Sequence, residues 1–210
     1  DIVSTIPVGW EVILADLSTD GTAEKAKSFR PDIKIIKRRQ GELGKGAAIR
    51  LGLGEACGSI VVMMDGDGSH QPSEIMKLVS TLETERADMV QASRICSEAV
   101  SMEMSPHRDP VRYFGNQIVT KFINFLFGSS ITDSQYGFRA FRRDFISKLS
   151  LRSNDWDIET EIVVRAAKCR GKIVEVPSIE LRRKVGKSHL SVPRFIAVVA
   201  RRLVLEILRA

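Results

Sequence analysis

At 210 residues and 43% hydrophobic side chains, the chain has the material for one domain with a real core and is too apolar to be a disordered segment. Its 32 basic and 26 acidic residues leave a net charge of +6. That modest excess suits an anionic ligand or an acidic membrane surface and comes with no nucleic-acid signature. Cys57, Cys96 and Cys169 are odd in number and far apart, as are His70, His107 and His189, so neither a disulfide framework nor zinc-ligand spacing is present.

Taken in chain order, Val12 to Ala15 reads as a buried strand, and Ser18-Thr19-Asp20-Gly21-Thr22 supplies capping groups for a helix to about Ser28. Ile33 to Lys37 is a second strand. A polar loop with Gly41, Gly44 and Gly46 opens a helix over Ala47 to Glu55, and Ile60 to Met64 is a third strand. Pro72 and Glu74 start a helix to about Glu85, followed by a fourth strand at Met89 to Ala92. Alternation of strands with helices of this length predicts an α/β fold with a mostly parallel sheet covered on both faces.

Ser97 to Pro110 has no period and reads as a loop. Val111 to Phe127 is a long helix whose apolar residues exceed one face, stopped by Gly128. Ile158 to Cys169 is a helix, Lys172 to Val176 a short strand closed by Pro177, and Pro193 to Arg209 an amphipathic helix edged by arginines. One domain over residues 1–210 is expected, with 193–210 a membrane-facing helix. The chain begins at Asp1 without a Met, and a missing N-terminal piece is part of that expectation.

The sharpest motif is Asp65-Gly66-Asp67 at the end of the third strand. Two carboxylates there repel each other unless a cation or a base neutralises them, and together they can share a divalent metal beside a diphosphate. A solvated turn with capping aspartates is the plain alternative. A calcium loop is excluded, because its sixth and twelfth positions would be His70 and Met76 where Gly and Glu are needed. An aspartyl-nucleophile phosphatase matches for five residues, but no later strand ends in the acidic residues that it needs.

Gly44-Lys45-Gly46 looks like a phosphate loop but meets neither the Walker nor the dinucleotide spacing, so a tight turn and a ligand approach both stay open. Asp133-Ser134-Gln135-Tyr136-Gly137-Phe138-Arg139 puts a carboxylate and a guanidinium on one loop, a pairing suited to proton abstraction and phosphate holding, or to a surface ion pair.

In this order, Glu11 to Thr22, Gly44 to Gly52, Asp65 to Ile75, Ser93-Arg94, Thr132 to Phe141, Glu159-Thr160-Glu161, Glu175-Val176-Pro177 and Gly186-Lys187-Ser188 resemble the family 2 glycosyltransferases of the GT-A fold. The resemblance is strongest to the dolichyl-phosphate mannose synthase and polyprenyl-phosphate glycosyltransferase branch. It implies a metal-dependent, inverting transfer from a GDP-mannose or UDP-glucose type donor to a polyprenyl or dolichyl phosphate, at the cytoplasmic face of a membrane.

By that resemblance Asp65 and Asp67 approach Mg2+ or Mn2+ at the donor diphosphate, which gives Asp67 a catalytic part. Asp16, Lys45 and Arg94 belong to the donor side, and Lys187 and Ser188 to a segment that closes over it. Asp133 acts on the acceptor phosphate or as a base, and Arg112 and Arg139 hold the acceptor phosphate. Three departures accompany the match. No counterpart of the family's first strand precedes Val12, which leaves the nucleotide pocket incomplete. Ala15-Asp16-Leu17 replaces Asp-Asp-Gly, while Ser69 and Lys184 stand where some relatives have Gln and Arg. A degenerate member that only binds a membrane or a partner is the non-enzymatic alternative.

Overall fold

A computed structural model describes residues 2–16, 20–37, 44–96, 110–181 and 192–209, with side chains in the two long helices described from 113 and 194 onward. The elements run β1 (Ile13–Asp16), α1 (Thr22–Phe29), β2 (Lys34–Lys37), α2 (Lys45–Glu55), β3 (Ile60–Met63), α3 (Ile75–Thr84), β4 (Met89–Ser93), α4 (Pro110–Phe127), β5 (Arg139–Arg142), α5 (Arg143–Lys148), α6 (Ile158–Lys168), β6 (Ile173–Pro177) and α7 (Val192–Ile207).

Strands β1 and β2 pair in parallel, and a second sheet has the order β3-β5-β4-β6. Only β4 and β6 are parallel neighbours there; β5 runs antiparallel to both β3 and β4. The expected mostly parallel sheet is therefore mixed, and the expected strand list lacked β5. The reason is the path of the chain. After β4 it travels through α4 and returns at the carboxyl end of the sheet, where Arg139 pairs with Met63, the last residue of β3. With no crossover back to the amino end, β5 has to run downward.

Strand alternation sorts the core onto two faces. Val90, Ala92 and Ala140 pack under Ile75, Leu78 and Leu82 of α3, while Met89 and Phe141 pack with Phe145, Ile158 and Ile162 on the other face. Leu78 and Leu82 are completely buried. Each such side chain contributes roughly 1.5–3 kcal/mol of apolar burial. A third cluster, Ile123, Val163, Val164, Val199 and Leu203, fastens α4 and α7 to α6.

Helix α4 buries Ile123 but turns much of its apolar surface outward. Asn116 and Thr120 are buried, whereas Phe114, Ile118, Phe122 and Phe125 are exposed, the last at 85%. Helix α7 turns Val199, Arg202, Leu203 and Glu206 inward and leaves Ile196, Val204 and Ile207 exposed. No helix among the described residues is long and apolar enough to cross a membrane.

Candidate active site

The carboxyl ends of β3, β4 and β6 and the start of β5 meet at one edge of the sheet, the usual place for a ligand in open α/β folds. Asp65 follows β3, Arg94 follows β4, Asp133 to Phe138 lead into β5, and Ser178 and Glu180 follow β6.

The Asp65 to His70 turn closes on itself. Asp67 Oδ1 accepts from the Ser69 backbone N–H at 3.0 Å and from its hydroxyl at 2.6 Å, and Gly68 takes a φ of +82°. The Asp65 backbone N–H donates to His70 Nδ1 at 3.0 Å. An imidazole that accepts there is neutral with its proton on Nε2. His70 is buried, stacked on Phe138 and edge-on to Tyr136, and that burial pulls its pKa below the ordinary histidine value. Asp67 thus caps the turn, and His70 fixes where Asp65 begins.

Lys45 enters the same turn from the first residue of α2. Its Nζ lies 2.9 Å from each Asp65 carboxylate oxygen and 2.6 Å from Glu159 Oε1. Burial alone would lower the Lys45 pKa, but the charges of Asp65 and Glu159 outweigh it and hold the ammonium charged. Gly137 borders this triad: a Cβ there would sit 3.4 Å from Lys45 Nζ and 3.5 Å from Asp65 Oδ1.

The glycines around Lys45 serve packing. A Cβ on Gly44 would stand 2.3 Å from the Asn154 carbonyl oxygen, and one on Gly46 would stand 2.5 Å from that of Ser153. Gly44 also has a φ of +97°. Both glycines thus permit a tight backbone approach, which seats α2 so that Lys45 reaches Asp65.

Asp133 is fully buried behind this group. Arg94 grips it with Nε to Oδ2 and Nη2 to Oδ1, and Asn116 Nδ2 donates to Oδ1 at 2.8 Å. Arg94 also reaches Glu180 at 3.0 Å and lies over the Tyr136 ring. Glu175 holds the loop from beneath, accepting the backbone N–H groups of Thr132 and Asp133, and burial raises its pKa above the ordinary carboxyl value.

Arg139 differs most from what its sequence suggested. It is fully buried, donates to the backbone carbonyls of Glu159 and Ser134, and leaves Nε without a hydrogen-bond partner. Burial pushes its pKa down to about 10 against the opposing pull of Glu159, Asp133, Glu175 and Asp65. Asp16 closes β1 in the two-stranded sheet. The side chain of Arg112, and Lys187 and Ser188 altogether, lie outside the described residues.

Residue-type reasoning assigned no role to Glu159, Glu161, Glu175, Asn116 or His70. A signal existed for the first two: Glu159 and Glu161 interrupt an otherwise apolar stretch around Ile158, Ile162, Val163 and Val164, and both are buried. Glu161 accepts the Arg152 and Ser153 backbone N–H groups and pairs with Arg202 of α7 at 3.1 Å. The segment that meets Gly44 and Gly46 is thereby tied to α7. A cavity of about 570 Å3 lined by Trp156, Arg194, Arg201 and Arg202 lies between them.

Among the described residues, no group of three or more His, Cys, Asp or Glu is placed to hold a metal. Two hard carboxylates are nonetheless a fitting donor set for Mg2+ or Mn2+, which keep several waters and bind through one or two carboxylates plus substrate phosphates. Asp65 and Asp67 fit such an ion.

The chain is similar to several characterised proteins. It is 30% identical over 189 residues to polyprenol monophosphomannose synthase of Mycolicibacterium smegmatis, covering 86% of this chain and 69% of that one. It is 28% identical over 195 residues to undecaprenyl-phosphate mannosyltransferase of Micrococcus luteus, covering 89% and 77%. A low-salt glycan biosynthesis hexosyltransferase, Agl6 of Haloferax volcanii, is 29% identical over 180 residues; this covers 86% of the chain but only 42% of that relative's length.

In fold, the chain superposes with a TM-score of 0.65 and 19% identity on glucosyl-3-phosphoglycerate synthase of Mycobacterium tuberculosis, solved with Mn2+, UDP and phosphoglyceric acid, over 95% of this chain and 66% of that one. The architecture is a GT-A-like α/β fold with a mixed sheet flanked by helices. The model of the family described as glycosyl transferase family 2 matches residues 7–150. That match spans more than half of the chain, and the protein is a member of glycosyl transferase family 2.

Proposed function

We propose that this protein transfers a hexosyl group from a nucleoside-diphosphate sugar of the GDP-mannose or UDP-glucose type to a polyprenyl phosphate, with inversion at the anomeric carbon. The observation that carries the reading is the meeting at one sheet edge of Asp65 and Asp67, with Lys45 on Asp65, and of Arg94, held by Asp133 and Glu180. The names of two relatives, which act on undecaprenyl phosphate and polyprenol phosphate, supply the acceptor class.

Asp65 and Asp67 would hold Mg2+ or Mn2+, which neutralises charge on the departing diphosphate. Lys45 adds a positive charge at the same end. An acceptor phosphate attacks the anomeric carbon as the bond to the diphosphate oxygen breaks, and with a second ionisation near pH 6 the phosphate needs little help from a base. Positioning is then the main task of the protein. Arg94 and Arg112 would hold phosphate groups, and Asp133, whose oxygens are taken up by Arg94 and Asn116, orients Arg94. Arg139, bonded to backbone carbonyls, supports the loop that carries Asp133. Asp16, Lys187 and Ser188 would act on the donor by the resemblance to the family alone.

The exposed apolar strip of α4 and the arginine-edged α7 would lie on a membrane surface, where the lipid acceptor is found. Free, exposed Cys57, Cys96 and Cys169 suit a reducing compartment and so the cytoplasmic face.

The test uses the full-length protein with short polyprenyl phosphates, a panel of nucleotide sugars and Mg2+ or Mn2+. Transfer to the lipid that requires metal and is lost in Asp67→Ala is the expected result. Absence of transfer across the panel would overturn the reading.

A further inference from the structure

The ion cluster at Lys45 has a feature that a plain acidic metal site would lack. One of the two carboxylates needed for a cation is already neutralised by the chain itself, since Lys45 Nζ contacts both oxygens of Asp65 at 2.9 Å. The same ammonium is held from behind by Glu159 at 2.6 Å, and the Lys45 side chain is only 18% exposed. In so sheltered a place a second cation on Asp65 meets the full repulsion of the first.

We propose that Lys45 is an internal counter-ion that keeps Asp65 from taking a divalent cation until a diphosphate arrives, and that Glu159 retains the ammonium as it shifts from Asp65 to that diphosphate. This rests on the reading of the site as one for a nucleoside diphosphate and a metal. An incoming diphosphate carries the negative charge that lets ammonium and metal coexist at one edge of the sheet. Metal and nucleotide therefore bind with strong positive coupling, and the metal-free protein keeps its acidic pair quiet without recruiting an ion from solution. The glycines make the arrangement possible: Gly44 and Gly46 seat the start of α2 against Ser153 and Asn154, and Gly137 leaves room beside Nζ.

The experiment is a Mn2+ titration followed by electron paramagnetic resonance of the free ion, on wild type, Lys45→Met and Lys45→Arg, with and without UDP or GDP. Wild type should bind Mn2+ alone weakly and gain about tenfold or more in affinity with nucleotide. Lys45→Met should bind Mn2+ alone about tenfold or more tightly than wild type and gain little from nucleotide, while Lys45→Arg stays close to wild type. Because Lys45→Met strands Glu159, the double variant Lys45→Met with Glu159→Gln is measured alongside and should show the same gain. Thermal melting gives a second readout, with Mn2+ alone raising the midpoint of the Met variants more than that of wild type. If Lys45→Met and the double variant bind Mn2+ alone no better than wild type, while nucleotide still promotes binding in wild type, the counter-ion role is overturned and the functional reading stands. If no protein binds Mn2+ with either nucleotide, both fall.

Discussion

Arg94 holds Asp133 as a two-point fork, Nε 2.7 Å from Oδ2 and Nη2 3.0 Å from Oδ1, with Asp133 wholly out of solvent. Breaking such a buried pair by removing one partner typically costs ~3–5 kcal/mol, because the other charge is left uncompensated. Asp133→Ala should lose about that much in chemical denaturation. If Asp133 orients Arg94, Asp133→Asn lowers the height of the pH-rate profile and leaves its shape intact, and Arg94→Lys raises KM in the same way. Loss of one limb of the profile in Asp133→Asn would instead identify a proton acceptor.

The glycines of α2 should divide sharply. Gly46→Ala puts a methyl group 2.5 Å from the Ser153 carbonyl oxygen and under 3 Å from further backbone atoms, so the backbone has to move. A loss of about 1–3 kcal/mol is expected. Gly54, in the same helix, has nothing within 4 Å of an added Cβ. Gly54→Ala should stabilise by roughly 0.5–1 kcal/mol through helix propensity. Urea denaturation of the pair checks both signs; equal effects would refute the packing account.

Glu175 sets a pH dependence whose sign follows from burial. Its folded pKa is raised above the ordinary 4.5, so the native state binds the proton more tightly than the unfolded chain. The associated stability is fully present below pH 4.5 and is lost as pH rises from there through the folded pKa. Glu175→Gln should flatten that segment of the stability profile. It should also cost about 1–3 kcal/mol at neutral pH, because an amide cannot accept both the Thr132 and the Asp133 N–H groups. A variant as stable as wild type with an unchanged profile would contradict this.

Phe122 and Phe125 are 53% and 85% exposed on α4. Replacing both by Asp should change stability by no more than ~0.5 kcal/mol per site, the usual range for surface positions. Binding to vesicles containing anionic lipid should fall strongly in sedimentation assays. Unaltered vesicle binding would remove α4 from the membrane surface.

Much of this was legible in the chain. Hydrophobic runs bounded by turn residues gave β1 to β4, β6 and nearly every long helix within a residue or two of where they stand, because such runs report local geometry. Strand β5 was not, since Arg139-Ala140-Phe141-Arg142 reads as a basic cluster. Its arginines are consumed inside: Arg139 on the carbonyls of Ser134 and Glu159, Arg142 on those of Ala87 and Leu82. Nothing local to those four residues records that distant carbonyls await them.

The same division holds at the site. That Asp65-Gly66-Asp67 ends a buried strand, and that Arg94 and Asp133 come in the order of a glycosyltransferase, could be read from the chain, because strand ends and turn chemistry are written in neighbouring residues. Which charge meets which became visible in the folded chain: Lys45 on Asp65 and Glu159, Arg94 on Asp133, and Arg139 on backbone. Pairing of charges depends on distances between separate elements and on how much water remains between them, and both exist only once the sheet edge is assembled.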